Sequence, residues 1–533
     1  MSFLKSRIFT APVSIVLIAA LVFCLVPMPV LASGLGLGCE GGITLGGTDE
    51  KTVLEYKEVC FITGEPVEMA GTVSIRKSTR QDMVNITYTY NLKNAGKDMT
   101  LVRNVSYDIK TVEAAGGQVV EEITLSKNPS ETVRAGNSVY SLRSYEFSSS
   151  RIIDKKPAIN YFAGNMRWRK TYQVTGTNNM GSVTMEITGR SFGYDQSWGN
   201  TETSILNYEI MSEKTIGDVH DMWAGRAEVT VSSSVVEDIK YVENIPEQIS
   251  FQGGYVKTRN NTSILEYYCS LPEFDAKGIS TYKMIETRNS LKLEAFPKQV
   301  RLPVQELPHL RGHWAEDNIK MLFSLGIFSN VFNDNDGNGR ESANAGFDPE
   351  QLITRAEFVA ALVKTVGEQA GDVQEDKATA SRRTRSVRIG KQEEEILSPY
   401  ADVPVDHVFF QQIKAAHEKG LILGKATGVF APGDEITLAE VIVLFVRALG
   451  LEKLAPNPYA ITFFMDDTSI PGYARNAIFA AERIGLIKGD NNGYLGAGEK
   501  ITRARAADLL ITFIEYMREG IRKDYRERIF GYY

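Results

Sequence analysis

The sequence predicts a multidomain chain: an N-terminal all-β part, antiparallel and sandwich-like in one module or two, followed by an all-α part of three repeated units. Three observations predict it. From about residue 50 to 300, apolar and polar residues alternate with the period of a half-buried strand. From about residue 309 the period becomes helical. One short word then recurs: "ITRAE" at Ile353–Glu357, "ITLAE" at Ile436–Glu440 and "ITRAR" at Ile501–Arg505. A length of 533 residues exceeds one ordinary domain, and 43% apolar content is enough for packed cores.

Residues 1–32 read as a secretory signal peptide. Lys5 and Arg7 precede the apolar run "IFTAPVSIVLIAALVFCLVPMPVLA", which ends with Val30 and Ala32 at the −3 and −1 positions. A retained anchor helix is the alternative, since the run is long enough to span. No later segment is, so the mature chain is expected outside the cell without a transmembrane helix. The net charge of −7 becomes more negative once Lys5 and Arg7 are removed. That acidity argues against a nucleic-acid partner, for which a basic face supplies most of the affinity. Cys39, Cys60 and Cys269 remain. An exported chain permits a disulfide, with Cys39–Cys60 the local pairing and Cys269 buried and inert.

The β-rich part spans 33–300. "MVNITYTYNL" (Met83–Leu92), "NVSYDIKTV" (Asn104–Val112), "RKTYQVTG" (Arg169–Gly176) and "SVTMEITG" (Ser182–Gly189) alternate cleanly, with Gly, Asn and Asp clusters between them. Many short strands at regular spacing predict an antiparallel sandwich or barrel. The aromatic loop "SFGYDQSWGN" (Ser191–Asn200) reads as a turn with a packed Trp, a sugar-stacking surface being the alternative.

At "FPKQVRLPVQELPHL" the chain becomes Pro-punctuated and the domain boundary is placed there. The helical units follow at 309–367, 398–451 and 462–517, with a short tail at 518–533. Between the first two, residues 368–397 are charged and almost free of aromatics, which predicts a flexible insert. Its basic run Arg382–Arg388 reads as solvated, with an anionic wall polymer as the alternative partner.

Fixed offsets align the units. Trp314 to Gly326, Val408 to Gly420 and Tyr473 to Gly485 each span twelve positions. Val408 to Leu438 and Tyr473 to Arg503 span thirty, whereas Trp314 to Arg355 spans forty-one, so the first unit carries eleven extra residues. Each unit reads as helix, glycine stop, loop, helix. Ile319, Leu322, Phe323 and Ile327 share one face, and Gly326 fits a left-handed C-cap. Thr354 with Glu357, and Thr437 with Glu440, have the spacing of a reciprocal N-terminal cap. Arg505 replaces that Glu in the third unit, so half of its cap is missing.

These words resemble the S-layer homology family. Its habitual "HWA", "GxF.P" and "ITRAE" are matched by His313–Ala315, Gly428–Pro432 and Ile353–Glu357. The resemblance covers roughly two-fifths of the chain. It implies a pseudo-threefold helical bundle whose grooves, between neighbouring units, hold anionic, often pyruvylated, secondary cell-wall polysaccharide. It further implies an extracellular, cell-wall or S-layer location, with self-association in a surface layer as a further expectation.

The residues agree with that implication. A cation in the first turn of a helix meets the positive end of the dipole and loses roughly a few tenths of a kcal/mol. Arg355 and Arg503 are easier to understand if an anion meets both the guanidinium and free helix N–H groups. Pairing with a neighbouring carboxylate is the plainer alternative. The second unit has Leu438 for Arg and Val408 for Trp, so two working grooves are expected, Arg355/Trp314 and Arg503/Tyr473. Asp402 and Asp466 occupy the family's acidic position before the first helix, where the first unit has His309. Asp334, Asp336 and Asn338, followed by Gly339, match half of a calcium loop, but Ala345 stands where the bidentate Glu belongs. A polar turn is the first expectation there and a weak calcium site the second; no other cofactor is expected.

Among catalytic patterns, HExxH, GxSxG and CxxC do not occur, and His220 is the only histidine of the β-rich part. A non-enzymatic envelope protein is therefore the first expectation. A glycan-active enzyme is an alternative, because a carboxylate pair leaves no local signature; an adhesin or substrate-binding protein is another.

Overall fold

Long alternating segments make long strands. A computed structural model describes residues 40–45, 51–80, 83–114, 117–176, 179–243, 253–305, 307–329, 331–332, 347–367, 398–456 and 460–525. The strands are β1 (Ile43–Thr44), β2 (Lys51–Cys60), β3 (Val67–Arg80), β4 (Met83–Asn94), β5 (Met99–Glu113), β6 (Gln118–Leu125), β7 (Ser130–Ala135) and β8 (Ser138–Lys155). They continue with β9 (Ile159–Gly176), β10 (Asn179–Gln196), β11 (Gly199–Ile216), β12 (Val219–Val242), β13 (Gly254–Phe274), β14 (Ser280–Glu294) and β15 (Lys298–Arg301).

All fifteen belong to one antiparallel sheet in nearly sequential order. Of the expected sandwich or barrel, the sandwich of two sheets is corrected: this is a single meander wound around its own core, as in a barrel. Period-two alternation reports that one face is buried but not what buries it. Here the far side of the same sheet does, because Tyr56, Tyr88, Trp168, Tyr208 and Tyr267, from strands at both ends of the order, share one core. Side chains bridge the seam. Phe61 meets Tyr267 edge-on with centroids 6.1 Å apart, Lys57 Nζ donates to the Lys292 carbonyl at 3.4 Å, and Asn289 Nδ2 donates to Glu68 Oε1 at 2.8 Å. One strand position is shared: β6 and β7 both lie between β5 and β8, pairing different halves of β5. The break falls at "SKNP" (Ser126–Pro129), where Pro129 has no N–H to give a ladder.

Charge is buried in this core. Arg103 on β5 donates from Nη1 to Glu58 Oε2 (2.9 Å) and from Nη2 to Glu58 Oε1 (3.0 Å) and Glu131 Oε1 (3.0 Å). Lys170 on β9 donates to Glu131 Oε2 at 2.9 Å and to Glu40. Tyr56 and Tyr145 donate to Glu58 and Glu40. The network ties six separated segments together in one register. Cys39 lies outside the described residues, and with it the expected Cys39–Cys60 pairing. Cys60 and Cys269 are both buried. Burial pushes the Cys60 thiol up to about 12 and raises that of Cys269, so neither is a nucleophile.

The helices are α1 (Glu316–Ser324), α2 (Arg355–Thr365), α3 (Phe410–Glu418), α4 (Leu438–Leu449), α5 (Arg475–Arg483) and α6 (Arg503–Glu515). Gly326, Gly420 and Gly485 each follow a first helix with φ near +70°, the left-handed stop expected of them. α2 and α4 carry complete reciprocal caps, whereas at α6 Thr502 accepts from the Arg505 N–H and the returning half is absent.

The boundary near residue 300 separates two chain segments but not two cores. Ala158, Ile159, Tyr194, Trp198, Ile239 and Tyr255 of the sheet are buried in the same cluster as the helices. The C-terminal ends of α2 and α4, and the helical turns Tyr516–Gly520 and Ile521–Asp524 that continue α6, all meet the sheet. Trp198 Nε1 donates to the Thr365 carbonyl at 2.8 Å, Tyr161 Oη to Leu449 at 3.1 Å, and Gln196 Nε2 to Met517 at 2.8 Å. The Thr365 and Leu449 carbonyls end their helices and have no partner inside them; the sheet supplies one. The aromatic loop thus holds the packed Trp that was expected, packed against the helices.

Candidate functional site

The three recurring words lie together. The Ile353 N–H donates to the Ile501 carbonyl (3.1 Å), Ile501 to Ile436 (3.2 Å), and Ile436 back to Ile353 (3.2 Å), a closed cycle of main-chain bonds. The next two N–H groups of each helix donate to the loop of the following unit. Arg355 and Ala356 reach Asp434 and Pro432, Leu438 and Ala439 reach Glu499 and Ala497, and Arg503 and Ala504 reach Gln351 and Pro349, all at 2.8–3.1 Å. The helix N–H groups expected to receive an anion are therefore already occupied.

The arginines are partnered as well. Arg355 is buried; its Nη1 donates to Glu440 Oε1 at 3.0 Å and its Nε to the Phe430 carbonyl at 3.1 Å. Arg503 Nη2 donates to Glu357 Oε1 at 2.8 Å, and its guanidinium lies 4.4 Å from the centre of the Phe332 ring. Each arginine thus reaches the capping Glu of the next unit. By the same cyclic rule, Leu438 faces the position held by Arg505. Arg and Glu are both missing from that one seam, which explains the irregular copy: a guanidinium at 438 would meet another at 505. Arg505 turns instead to Asp508 of its own helix at 2.7 Å. The signal was present in the sequence as two departures, Leu438 and Arg505, that belong to one contact.

This cycle predicts the outcome of restoring the word. Leu438→Arg alone should lower stability by about 1–3 kcal/mol, by placing like charges together and removing a buried leucine. Leu438→Arg with Arg505→Glu should recover much of that loss. Urea unfolding of the two variants checks it, and equal losses in both would contradict the pairing.

The expected grooves are paired differently. Trp314 precedes α1, and α1 is bonded to α6 through Asn318 Nδ2 and Asp508 Oδ1 at 3.3 Å. His313, beside Trp314, bonds Glu350 at 2.9 Å, in the loop that caps Arg503. Trp314 therefore stands at the seam of Arg503, not Arg355. Rotating the cycle places Val408 beside Arg355 and Tyr473 beside Leu438. All three are at the surface, Trp314 at 61% exposure, Val408 at 79% and Tyr473 at 65%. The seam of Trp314 and Arg503 is the one that combines an aromatic face with a guanidinium.

Asp402 and Asp466 brace loops. Asp402 accepts from the Phe430 and Ala431 N–H groups at 2.9 and 2.6 Å, and Asp466 from Leu495 and Gly496 at 2.8 and 2.9 Å. Partial burial opposes their ionisation, but these bonds outweigh it and hold both carboxyls below the usual range. His309 does the equivalent work in the first unit, its Nε2 lying 3.0 Å from the Phe347 carbonyl. Asp334, Asp336 and Asn338 of the calcium-like loop lie outside the described residues, as do residues 1–32 and 368–397.

The family model of the S-layer homology domain matches residues 307–359 and 399–442, the first two of the three helix pairs. An amylopullulanase of Thermoanaerobacterium thermosulfurigenes is 24% identical over 207 residues, 39% of this chain and 9% of the relative. Exoglucanase XynX of Acetivibrio thermocellus is 25% identical over 207 residues, 39% of this chain and 16% of the relative. An S-layer protein of Bacillus thuringiensis subsp. finitimus is 33% identical over 119 residues, 21% of this chain and 13% of the relative. The chain thus spans less than a fifth of the length of these relatives.

They correct one expectation. A chain of this kind was expected not to be an enzyme, yet relatives named as an amylopullulanase and an exoglucanase share the S-layer homology region. That region accompanies enzymes as well as S-layer proteins, so its presence does not argue against catalysis. Among the described residues no helix is long and apolar enough to cross a membrane. The chain is a cell-surface protein that carries S-layer homology domains and is anchored at the cell wall.

Proposed function

We propose that residues 309–367, 398–451 and 462–517 form a three-unit S-layer homology bundle that holds anionic, pyruvylated secondary cell-wall polysaccharide without a covalent bond and thereby displays the β-rich part. The observation that carries this reading is Trp314, an exposed indole at the seam that also holds Arg503; Trp314 lies within a stretch that the family model matches. The indole offers a stacking face to a sugar ring, and Arg503, its charge already shared with Glu357, offers hydrogen-bond donors. Arg355 with Val408, and Tyr473 with Leu438, are the weaker seams, each lacking one partner. Asp402 and Asp466 keep the loops in shape for the glycan. β14, with Met284 and Ile285 exposed, is the surface for self-association. A chain that acts on glycans is the second reading, favoured by the amylopullulanase and exoglucanase relatives.

The test is cosedimentation of the full-length chain with purified wall sacculi. Retention should fall when the polysaccharide is extracted, and also when ketal-linked pyruvate is removed by mild acid. Equal retention by extracted sacculi would overturn the anchoring reading; equal retention after pyruvate removal would overturn the choice of epitope.

A further inference from the structure

The interior of the wound sheet changes character along its length. Away from the helices the inward positions are large and buried, as at Trp168, Ile187, Tyr208 and Leu265. Toward the helices the same inward register turns polar. Glu121 on β6 pairs directly with Arg151 on β8, and the row continues through Gly164, Ser191 and Ser204. Further toward the end, Asp195 and Glu202 face inward and are only half-buried, so solvent reaches them. This is a mouth rather than a core.

Its polar groups are incompletely satisfied. Glu121 and Arg151 are 8% and 3% exposed. Glu121 Oε2, Arg151 Nε and Asp195 Oδ1 are buried atoms without a hydrogen-bond partner among the described residues. Native proteins rarely leave such groups unmatched unless something else fills them. Arg151 lies within electrostatic reach of Glu121, Glu202 and Asp195, and its guanidinium sits 3.7 Å from the centre of the Phe162 ring.

We propose that this mouth binds a hydroxyl-rich ligand, the end of a saccharide chain, through Glu121, Arg151, Asp195 and Glu202. The unmet groups are one donor and two acceptors. A pair of neighbouring sugar hydroxyls, each able to donate and accept, satisfies both kinds at once. An anion would meet three carboxylates. A bare metal ion fits less well, since the Arg151 guanidinium lies within electrostatic reach of all three carboxyls and would repel it. Burial raises the pKa of all three carboxyls, that of Asp195 to about 7, which suits groups that exchange hydrogen bonds with hydroxyls rather than hold a fixed charge. The site is separate from the seam of Trp314 and does not rest on the wall-anchoring reading.

The experiment is isothermal titration calorimetry of the full-length chain with maltohexaose, cellohexaose and chitohexaose, three neutral chains that differ in linkage and substituents. At least one should bind, about tenfold more weakly to Glu202→Gln and to Glu121→Gln, with affinity unchanged in Val53→Ala, an exposed position of β2 outside the site. The half-buried Glu202 is the variant least able to disturb folding, and unchanged unfolding midpoints confirm that the fold is kept. No binding by any of the three probes would overturn the proposal. So would binding insensitive to both glutamate variants, or binding weakened as much by Val53→Ala.

Discussion

Replacing Arg103 with methionine should lower the stability of the chain by about 3–5 kcal/mol, because it leaves Glu58 and Glu131 buried without their shared cation. A surface ion pair would be worth far less. What separates the two cases is burial: Arg103, Glu58, Glu131, Lys170 and Glu40 are all nearly inaccessible, so water cannot replace the lost partner. The network also sets an acid limit. Burial opposes the charge on Glu131, but Arg103 and Lys170 together outweigh it and hold its pKa down to about 2, from an ordinary 4.5. A depressed carboxyl stabilises fully above its unfolded value and loses that contribution as pH falls through the folded one. The wild-type contribution of Glu131 should therefore persist at pH 5 and fade between 4.5 and 2, whereas in Arg103→Met the loss should begin at higher pH. Urea unfolding from pH 7 to pH 3 measures both effects. A variant as stable as wild type at pH 7 would show that the network is electrostatically idle.

Trp198→Ala should be comparably costly, about 3–5 kcal/mol for a buried aromatic, and the loss should appear in the helices. Trp198 sits in the β10–β11 turn, yet its indole N–H satisfies the last carbonyl of α2 and its ring belongs to the helical core. Removing it opens a cavity between sheet and helices and leaves the Thr365 carbonyl without its donor. The far-ultraviolet helical signal should melt earlier than in wild type, and amides near the C-terminal ends of α2 and α4 should exchange faster. Trp198→Phe should recover part of the packing but not the hydrogen bond. Helices that melt unchanged in Trp198→Ala would mean that the two parts are independent.

Much of the architecture was legible because periodicity is local. Segments such as Met83–Leu92 announce strands, and Thr354 with Glu357 announces a capped helix start, from contacts within a few residues. What buries the sheet is not local. Tyr56 and Tyr267 are neighbours in one core though more than two hundred residues apart, and alternation cannot distinguish a partner sheet from the far side of the same sheet. The half-missing cap at Arg505 was readable. Its meaning was not, because Leu438 and Arg505 lie in different units and meet only once the three words close into a cycle. The same cyclic offset explains why Trp314 belongs with Arg503 rather than with the arginine of its own unit. Trp198 was readable as a packed residue but not as part of an interface, since nothing nearby in sequence names the helices it caps.

The seam itself gives the most direct test of wall anchoring. In cosedimentation with intact sacculi, Trp314→Ala should weaken binding by about tenfold, the scale of one lost aromatic stacking contact. Val408→Ala, at the same position of the next unit, should leave it unchanged. Equal retention of Trp314→Ala and wild type, with both proteins folded, would contradict the assignment of the glycan to the seam of Trp314 and Arg503.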